Sequence, residues 1–441
     1  MISIYRAIIA RLGVPKFHRE HTRSPRLGLI TWVYIGSAIA LGYAAPQFNQ
    51  WFFPWLVSPL DKSSISTILA TIASGMITLT GIVFSLVFVI VQFGSSTYSP
   101  RITRVFAHVR SLRHSLGIFT GTFIYCLMAL RTLGLERGEI VSAFTVWLAF
   151  AWLLASVVIL ANLVRVFTTL TIGNVLFALS TAGRFSIARL YTPLTAGNTN
   201  RASGGEGQTL PELPIAQTVL YKGAPGYVIR YDTRRLMELA RPAGQVIHLP
   251  YAVGDALRDG EAVAQIRGGE TEIPEPKIYS AIILGRERAF RDDPRYALRL
   301  LVDMAIRALS PAINDPTTAV QALDHIELLL HRLGNSDLDI GTVRDREGRV
   351  RVVYAAPGWE VLLRLGLSEI MQYGATSLQV QRRLAALLQF LSRAVPPDRA
   401  AVVEQFAKER EVFISSAWED DTLRQWAETP DHSGLGGGGD I

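Results

Sequence analysis

The sequence predicts an α-helical membrane domain of four transmembrane helices followed by a cytoplasmic α+β domain, a small β-rich module and then a helical bundle. Two observations carry this. Four apolar runs free of charged residues, Leu27–Ala45, Ile65–Phe93, Leu116–Leu130 and Ile140–Val164, precede residue 165, and no comparable run follows. A hydrocarbon core about 30 Å thick takes roughly 20 apolar residues in helical form to cross, and soluble helices are rarely apolar on every face. Beyond the runs, charges return, and alternating and helical patterns are separated by Gly, Pro and Asn punctuation. The 441-residue chain is 49% hydrophobic and 18% charged with mean hydropathy +0.26, more apolar than an ordinary soluble protein.

Residues 1–26 are basic, and Ile2, Ile4, Tyr5, Ile8, Ile9 and Leu12 set against Arg6 and Arg11 predict a short amphipathic helix in the headgroup layer. The segment is too charged for a cleaved signal peptide. The cations also orient the spans. Arg6, Arg11, Lys16, Arg19, Arg23 and Arg26 precede the first run; Arg101, Arg104, Arg110 and Arg113 separate the second from the third; Arg165 and Arg184 follow the fourth. The other two connections are sparse, and short Lys- and Arg-rich loops stay cytoplasmic, so both termini of this multi-pass chain are expected inside. The net charge of +7 and pI of about 9.6 point to the lipid bilayer and its anionic headgroups as partners. Nucleic acid is not expected, because the soluble part shows no basic–aromatic surface pattern. Trp51-Phe52-Phe53-Pro54-Trp55 reads as an aromatic belt after the first span. Cys126, in the third run, is the single cysteine, so neither an intramolecular disulfide nor a cysteine-held metal or cofactor is expected.

The second run carries a stripe. Thr67, Thr71, Ser74, Thr78, Gly81 and Ser85 recur at alternating steps of four and three, which places hydroxyls and glycine along one line of a helix otherwise built from Ile, Leu, Val and Phe. Two readings stand: close helix packing, with hydroxyls bonding across helices, or a pore lining made by several copies. Four spans rarely enclose an aqueous path alone, so the pore requires a homo-oligomer. None of the runs contains Asp, Glu, Lys, Arg or His. That argues against a proton-driven carrier, which places ionisable groups in the membrane, and leaves a channel built on hydroxyls open.

A Gly-, Thr-, Asn-, Ser- and Pro-rich linker over 191–214 separates the two domains. Strand-like Gly226–Tyr231, helical Thr233–Ala240, strand-like Gly244–Leu249, glycine turns at Gly254 and Gly260, and Val263–Ile266 make up a β-rich module over 215–280. It resembles barrel-sandwich modules of the lipoyl and biotinyl type, but neither turn carries the lysine that a carrier needs. The helical domain spans 281–424. In it, Asp293-Pro294 and Asp315-Pro316 each fit an N-cap followed by proline at the first helical position. They start helices over Arg295–Leu309 and Thr317–Leu333; Val350–Tyr354 reads as a strand, and Trp359–Tyr373, Ser377–Ala394 and Pro397–Phe413 as amphipathic helices. Residues 425–441, ending in a glycine run, read as a disordered tail.

Arg291-Asp292-Asp293-Pro294-Arg295-Tyr296-Ala297-Leu298-Arg299 and Ala308-Leu309-Ser310-Pro311-Ala312-Ile313-Asn314-Asp315-Pro316-Thr317-Thr318-Ala319, with Tyr98–Arg101 and Gln372–Ala375, are similar to the signature of a bacterial inner-membrane family. That family is a predicted membrane protein with a conserved domain of unknown function. The resemblance covers nearly the whole chain and implies a location in the inner (plasma) membrane; it implies no activity, cofactor or catalytic residue. Arg291, Asp292, Arg299, Ser310, Asn314 and Asp315 are the candidate ligand or contact corner, with capping and turn chemistry as the plainer explanation of the polar side chains. There is no Walker loop, metalloprotease helix or nucleophile elbow, so no enzyme is expected. The function that follows is an oligomeric membrane protein with a regulatory cytoplasmic domain and an ion-conducting pore lined by the second span. The alternative is a membrane-anchored scaffold or ligand sensor without transport.

Overall fold

The computed structural model describes residues 27–52, 61–97, 110–135, 142–168, 171–194 and 210–434. The amphipathic segment 1–26, the belt residues Phe53–Trp55, the Tyr98–Arg101 motif, most of the linker and the glycine run lie outside them. The chain divides into two compact units, Met1–Thr171 and Ile172–Ile441.

The first unit holds α1 (Leu27–Phe52), α2 (Lys62–Thr97), α3 (Arg110–Leu135) and α4 (Ala143–Thr168). Each contains a candidate membrane span: Leu29–Asn49, Lys62–Val89, His114–Leu135 and Ala143–Arg165. The third span, the shortest as an apolar run, is the central helix. Half of it is buried, against 22–28% of the others, and it packs against all three of them. Small side chains give it that place. A Cβ on Gly121 would stand 2.7 Å from the Trp152 ring of α4, and one on Gly117 would strike the Tyr34 ring of α1. Several polar groups are met inside the bundle, as an apolar solvent demands. Thr122 Oγ1 and Ser156 Oγ hydrogen-bond at 2.9 Å, and the buried Tyr125 hydroxyl donates to the Thr145 carbonyl at 2.8 Å. Cys126 is a buried free thiol.

The second unit starts earlier than the sequence boundary at 190/191. Helix α5 (Ile172–Leu190) belongs to it, because Val175, Leu176, Leu179, Gly183, Ser186 and Ile187 form a one-sided buried stripe. A Cβ on Gly183 would meet Leu329 and Ala297 within about 3 Å, so the helix seats its glycine on two later helices. Then follow β1 (Ile215–Leu220), β2 (Gly226–Tyr231), α6 (Thr233–Ala240), β3 (Val246–Leu249), β4 (Ala256–Leu257), β5 (Ala262–Arg267), α7 (Glu275–Tyr279) and β6 (Ile282–Gly285). The helical part has α8 (Pro294–Ala308) and α9 (Pro316–Gly334), the hairpin β7 (Thr342–Arg344) and β8 (Val350–Tyr354), then α10 (Trp359–Tyr373), α11 (Leu378–Ala394), α12 (Pro397–Ala417) and α13 (Asp421–Glu428).

The β module does not close within 215–280. One sheet runs β1-β5-β3-β8-β7 and the other β4-β2-β6. Strand β8 pairs parallel to β3, Ile247 opposite Val352 and Leu249 opposite Tyr354, so a hairpin from beyond α9 completes the first sheet. Parallel strands need a long crossover, and here α8 and α9 lie within it. The expected tail 425–441 is folded as far as it is described. Residues through 434 are ordered, with Asp431 buried and Gly434 against Val320. Buried arginines close the helical layer. Arg399 Nη1 donates to the carbonyls of Leu333, Gly334 and Ser336 at 2.8–3.2 Å, taking up acceptors that α9 leaves unmet at its C-terminus.

Two outcomes are expected. Gly121→Leu overpacks the α3–α4 seam and should cost about 1–3 kcal/mol, read as a lower melting temperature in detergent. In the β7–β8 hairpin, burial pushes the Asp345 carboxyl up. Donation from Arg351 Nε at 2.8 Å and from backbone amides outweighs it and holds the group at about 2. Because folding lowers this pKa, the stabilisation is present above the ordinary aspartate range and is lost as pH falls through about 2. Asp345→Asn should therefore melt below the native chain at neutral pH, with the gap closing in acid; a gap that holds across the titration would refute the assignment.

Candidate functional site

The structure places the stripe of α2 on the outer side of its own bundle. Thr67, Thr71, Ser74, Thr78, Gly81 and Ser85 are all exposed, while Ile65, Leu69, Ile72, Ala73, Met76 and Val83 form the buried side. Nothing lies within 4 Å of a Cβ built on Gly75 or Gly81. Three hydroxyls turn back on the helix: Thr67 Oγ1 donates to Ser63 O at 2.9 Å, Thr71 Oγ1 to Thr67 O at 2.7 Å and Thr78 Oγ1 to Ser74 O at 3.0 Å. The stripe therefore bonds to no other helix of this chain among the described residues.

The corner residues are not gathered. Arg291 precedes α8, and Ser310, Asn314 and Asp315 follow it. The fifteen residues of α8 separate them by about 22 Å at 1.5 Å per residue. Arg299, in the second turn, is held in a fork by Glu369 of α10 and pairs with Asp303 at 2.6 Å. Ser310 Oγ donates to the Arg307 carbonyl at 2.7 Å, Asn314 takes the left-handed conformation at φ 48°, and Asp315 accepts from the Thr318 amide at 3.1 Å. Asp315 is thus a true N-cap.

Asp293 departs from its expected role. It stands at the N-cap position of α8, yet its side chain makes no capping hydrogen bond. Its carboxylate is 2% exposed and lies 3.6 Å from Arg295 Nε and 4.0 Å from Arg288 Nε, and neither oxygen has a hydrogen-bond partner among the described residues. Burial pushes its pKa up, against the pull of Arg295, Arg288 and the Tyr296 backbone amide, which lies near the carboxylate but outside hydrogen-bond geometry. It lines a cleft of about 520 Å³ together with Asp292, Arg189, Arg230, Arg234 and Arg295.

Several elements build this cleft. The end of α5 brings Arg189, whose Nε pairs with Asp292 Oδ1 at 3.3 Å. The β2 strand and the start of α6 bring Arg230 and Arg234. The turn after β3 carries Gly254 at φ +94°, and a Cβ there would collide with Asp293 Oδ2. That turn is also braced by arginines: Arg295 Nη2 donates to Val253 O and to Asp255 Oδ1 at 3.1 Å, and Arg288 Nε donates to Gly254 O at 2.6 Å. Tyr191, Tyr231 and Tyr354 stand beside the carboxylates. Burial raises the pKa of all three, Tyr354 to about 12, so each stays a neutral hydroxyl at physiological pH. Ile340, Ala355, Ala356 and Pro357 supply an apolar wall. The sequence named Arg291 and Asp292, of which Asp292 lines the cleft, but not the cleft itself; the one available signal was the density of charge in Arg291–Arg295.

Four candidate spans followed by a mixed α/β region and a helical C-terminal region make this a membrane protein. The chain belongs to the family described as "Predicted membrane protein (DUF2254)", whose model matches residues 25–389. It is similar to an uncharacterized protein of Mycobacterium bovis and to one of Mycobacterium tuberculosis, each 30% identical over 357 aligned residues with 77% of this chain covered. The chain spans 66% of the length of these curated relatives. No solved structure matches it.

The contact of Gly254 with Asp293 can be isolated by comparing two glycines. Gly254→Ala should cost the left-handed backbone penalty of about 1–2 kcal/mol and more from the carboxylate collision. Gly260, at φ +83° with open space around it, should show the backbone penalty alone. Equal losses in thermal melting would show that the carboxylate gives way freely.

Proposed function

We propose that the protein is an oligomeric protein of the bacterial inner membrane with both termini cytoplasmic. On this reading the α2 stripe of several copies lines an ion-conducting path, and the unit 172–441 is its cytoplasmic regulatory part. The observation that carries this reading is the small, hydroxyl-bearing face turned away from the chain's own helices. A helix side meant only for lipid is normally filled with large apolar groups, as Ile77, Ile82, Phe84 and Phe88 fill other exposed positions of α2. Small residues instead let a neighbouring copy approach or leave room for water. Hydroxyls bonded to their own helix carry no unmet donor while they wait for either. With no Asp, Glu, Lys, Arg or His in the four apolar runs, conduction would use hydroxyls and water rather than a proton relay. The basic connections would rest on anionic headgroups, and no catalytic or nucleic-acid role is included.

A second reading, a membrane-anchored ligand sensor without transport, is favoured by the arginine-lined cleft. Flux separates the two. In proteoliposomes the purified protein should pass ions, and Thr71→Leu, Ser74→Leu or Thr78→Leu should reduce that flux several-fold with assembly unchanged. Absence of flux across varied ions and voltages would sink conduction and leave the sensor.

A further inference from the structure

We propose that the cleft at the start of α8 binds a nucleoside phosphate: a ligand with an anionic phosphate, a ring-sized body and hydroxyl donors. This goes beyond the reading above and stands apart from it, since binding to the purified chain is measured without reference to flux.

The charge of the cleft is uneven. Of its four arginines, Arg189 is taken by Asp292, and Arg295 by Asp255 and Asp293. Arg230 and Arg234 line the same cleft with no ion-pair or hydrogen-bond partner among the described residues. Two uncommitted guanidiniums four residues apart in sequence, one on β2 and one on α6, line one cleft and offer phosphate the fork that it matches in shape and charge. Arg234 is exposed, so it meets a ligand from solvent with little rearrangement.

Asp293 supplies the opposite requirement. A carboxylate 2% exposed with both oxygens unmet is costly unless something donates to it. Arg288 and Arg295 offset its charge from 3.6–4.0 Å, and they spend their shorter bonds on the carbonyls of Gly254 and Val253 and on Asp255. What is missing is a hydroxyl or amine donor, and a sugar hydroxyl provides one. An anion without a hydroxyl, such as sulfate, would leave this acceptor unmet. The remaining wall, Ile340, Ala355, Ala356, Pro357 and the half-buried ring of Tyr354, offers apolar area for a flat ring. A volume of about 520 Å³ falls within the usual range for small-molecule sites.

The test is thermal stabilisation and direct titration of the full chain in detergent or nanodisc. The probes are purine and pyrimidine nucleoside mono- and diphosphates, the free nucleosides, and inorganic phosphate. Nucleoside phosphates are expected to raise the melting temperature in a dose-dependent way, and salt to weaken the effect. Arg230→Ala/Arg234→Ala should weaken binding at least ~10-fold with the ligand-free melting temperature unchanged, while Arg230→Lys/Arg234→Lys should retain part of the affinity. Asp293→Asn should narrow the preference for nucleoside phosphate over inorganic phosphate. The proposal is overturned if no nucleoside phosphate binds at millimolar concentration, if inorganic phosphate or free nucleoside binds as tightly, or if the double alanine variant keeps native affinity.

Discussion

A polar group removed from water must find its partner within the protein, and both units of this chain are arranged around that constraint. In the spans, Thr122 and Ser156 answer to carbonyls one turn back and to each other, and Tyr125 to a carbonyl of the neighbouring helix. In the second unit the same need is met by arginines. Arg399 gathers three carbonyls at the end of α9, Arg410 bridges Gln381 and Ala427, and Arg383 spans Asp324 and Glu327. Each joins helices distant in sequence, so breaking one would leave a buried charge facing unmet groups rather than merely remove a contact.

Set against that pattern, Asp293 stands out by leaving both carboxylate oxygens unmet in a buried position. Its surroundings hold it there. Gly254 grants the space, Arg288 and Arg295 fix the turn that carries Gly254, and proline at the first helical position fixes the backbone of α8 just after it. A rigid frame around an unmet acceptor is the arrangement expected of a binding site, where the last partner arrives with the ligand. The two aspartate–proline pairs show the contrast within one chain. Asp315 caps its helix, and Asp293, with the same local sequence logic, does not.

The membrane unit raises a different question of completeness. Its central helix is settled by glycines that seat aromatic rings, but α2 touches its own bundle by one side only. The small face left over has the composition of a helix contact and the chemistry of a wet surface at once. Packing between copies and lining a path are thus two uses of one property, short side chains of which the three threonines satisfy their hydroxyls on their own helix.

Much of the local structure was legible in the residues. The span count follows from apolar length, the limits of Thr233–Ala240 and Trp359–Tyr373 from periodicity, and the turns at Gly254 and Gly260 from glycine itself, because these signals lie within a few neighbouring positions. The stripe was legible as a stripe, but not the direction it faces. What tertiary structure decided was every relation between distant segments: the parallel pairing of β8 with β3, the transfer of Ile172–Leu190 to the second unit, and the meeting of Arg189, Arg230, Arg234 and Asp293 around one cleft. The physical reason is that a sequence pattern states which side of an element avoids water, whereas the partner that covers it is chosen by packing across the whole fold. Asp293 makes the point at a single residue, since its sequence context specified a cap and only the approach of Gly254 and two arginines turned the carboxylate elsewhere.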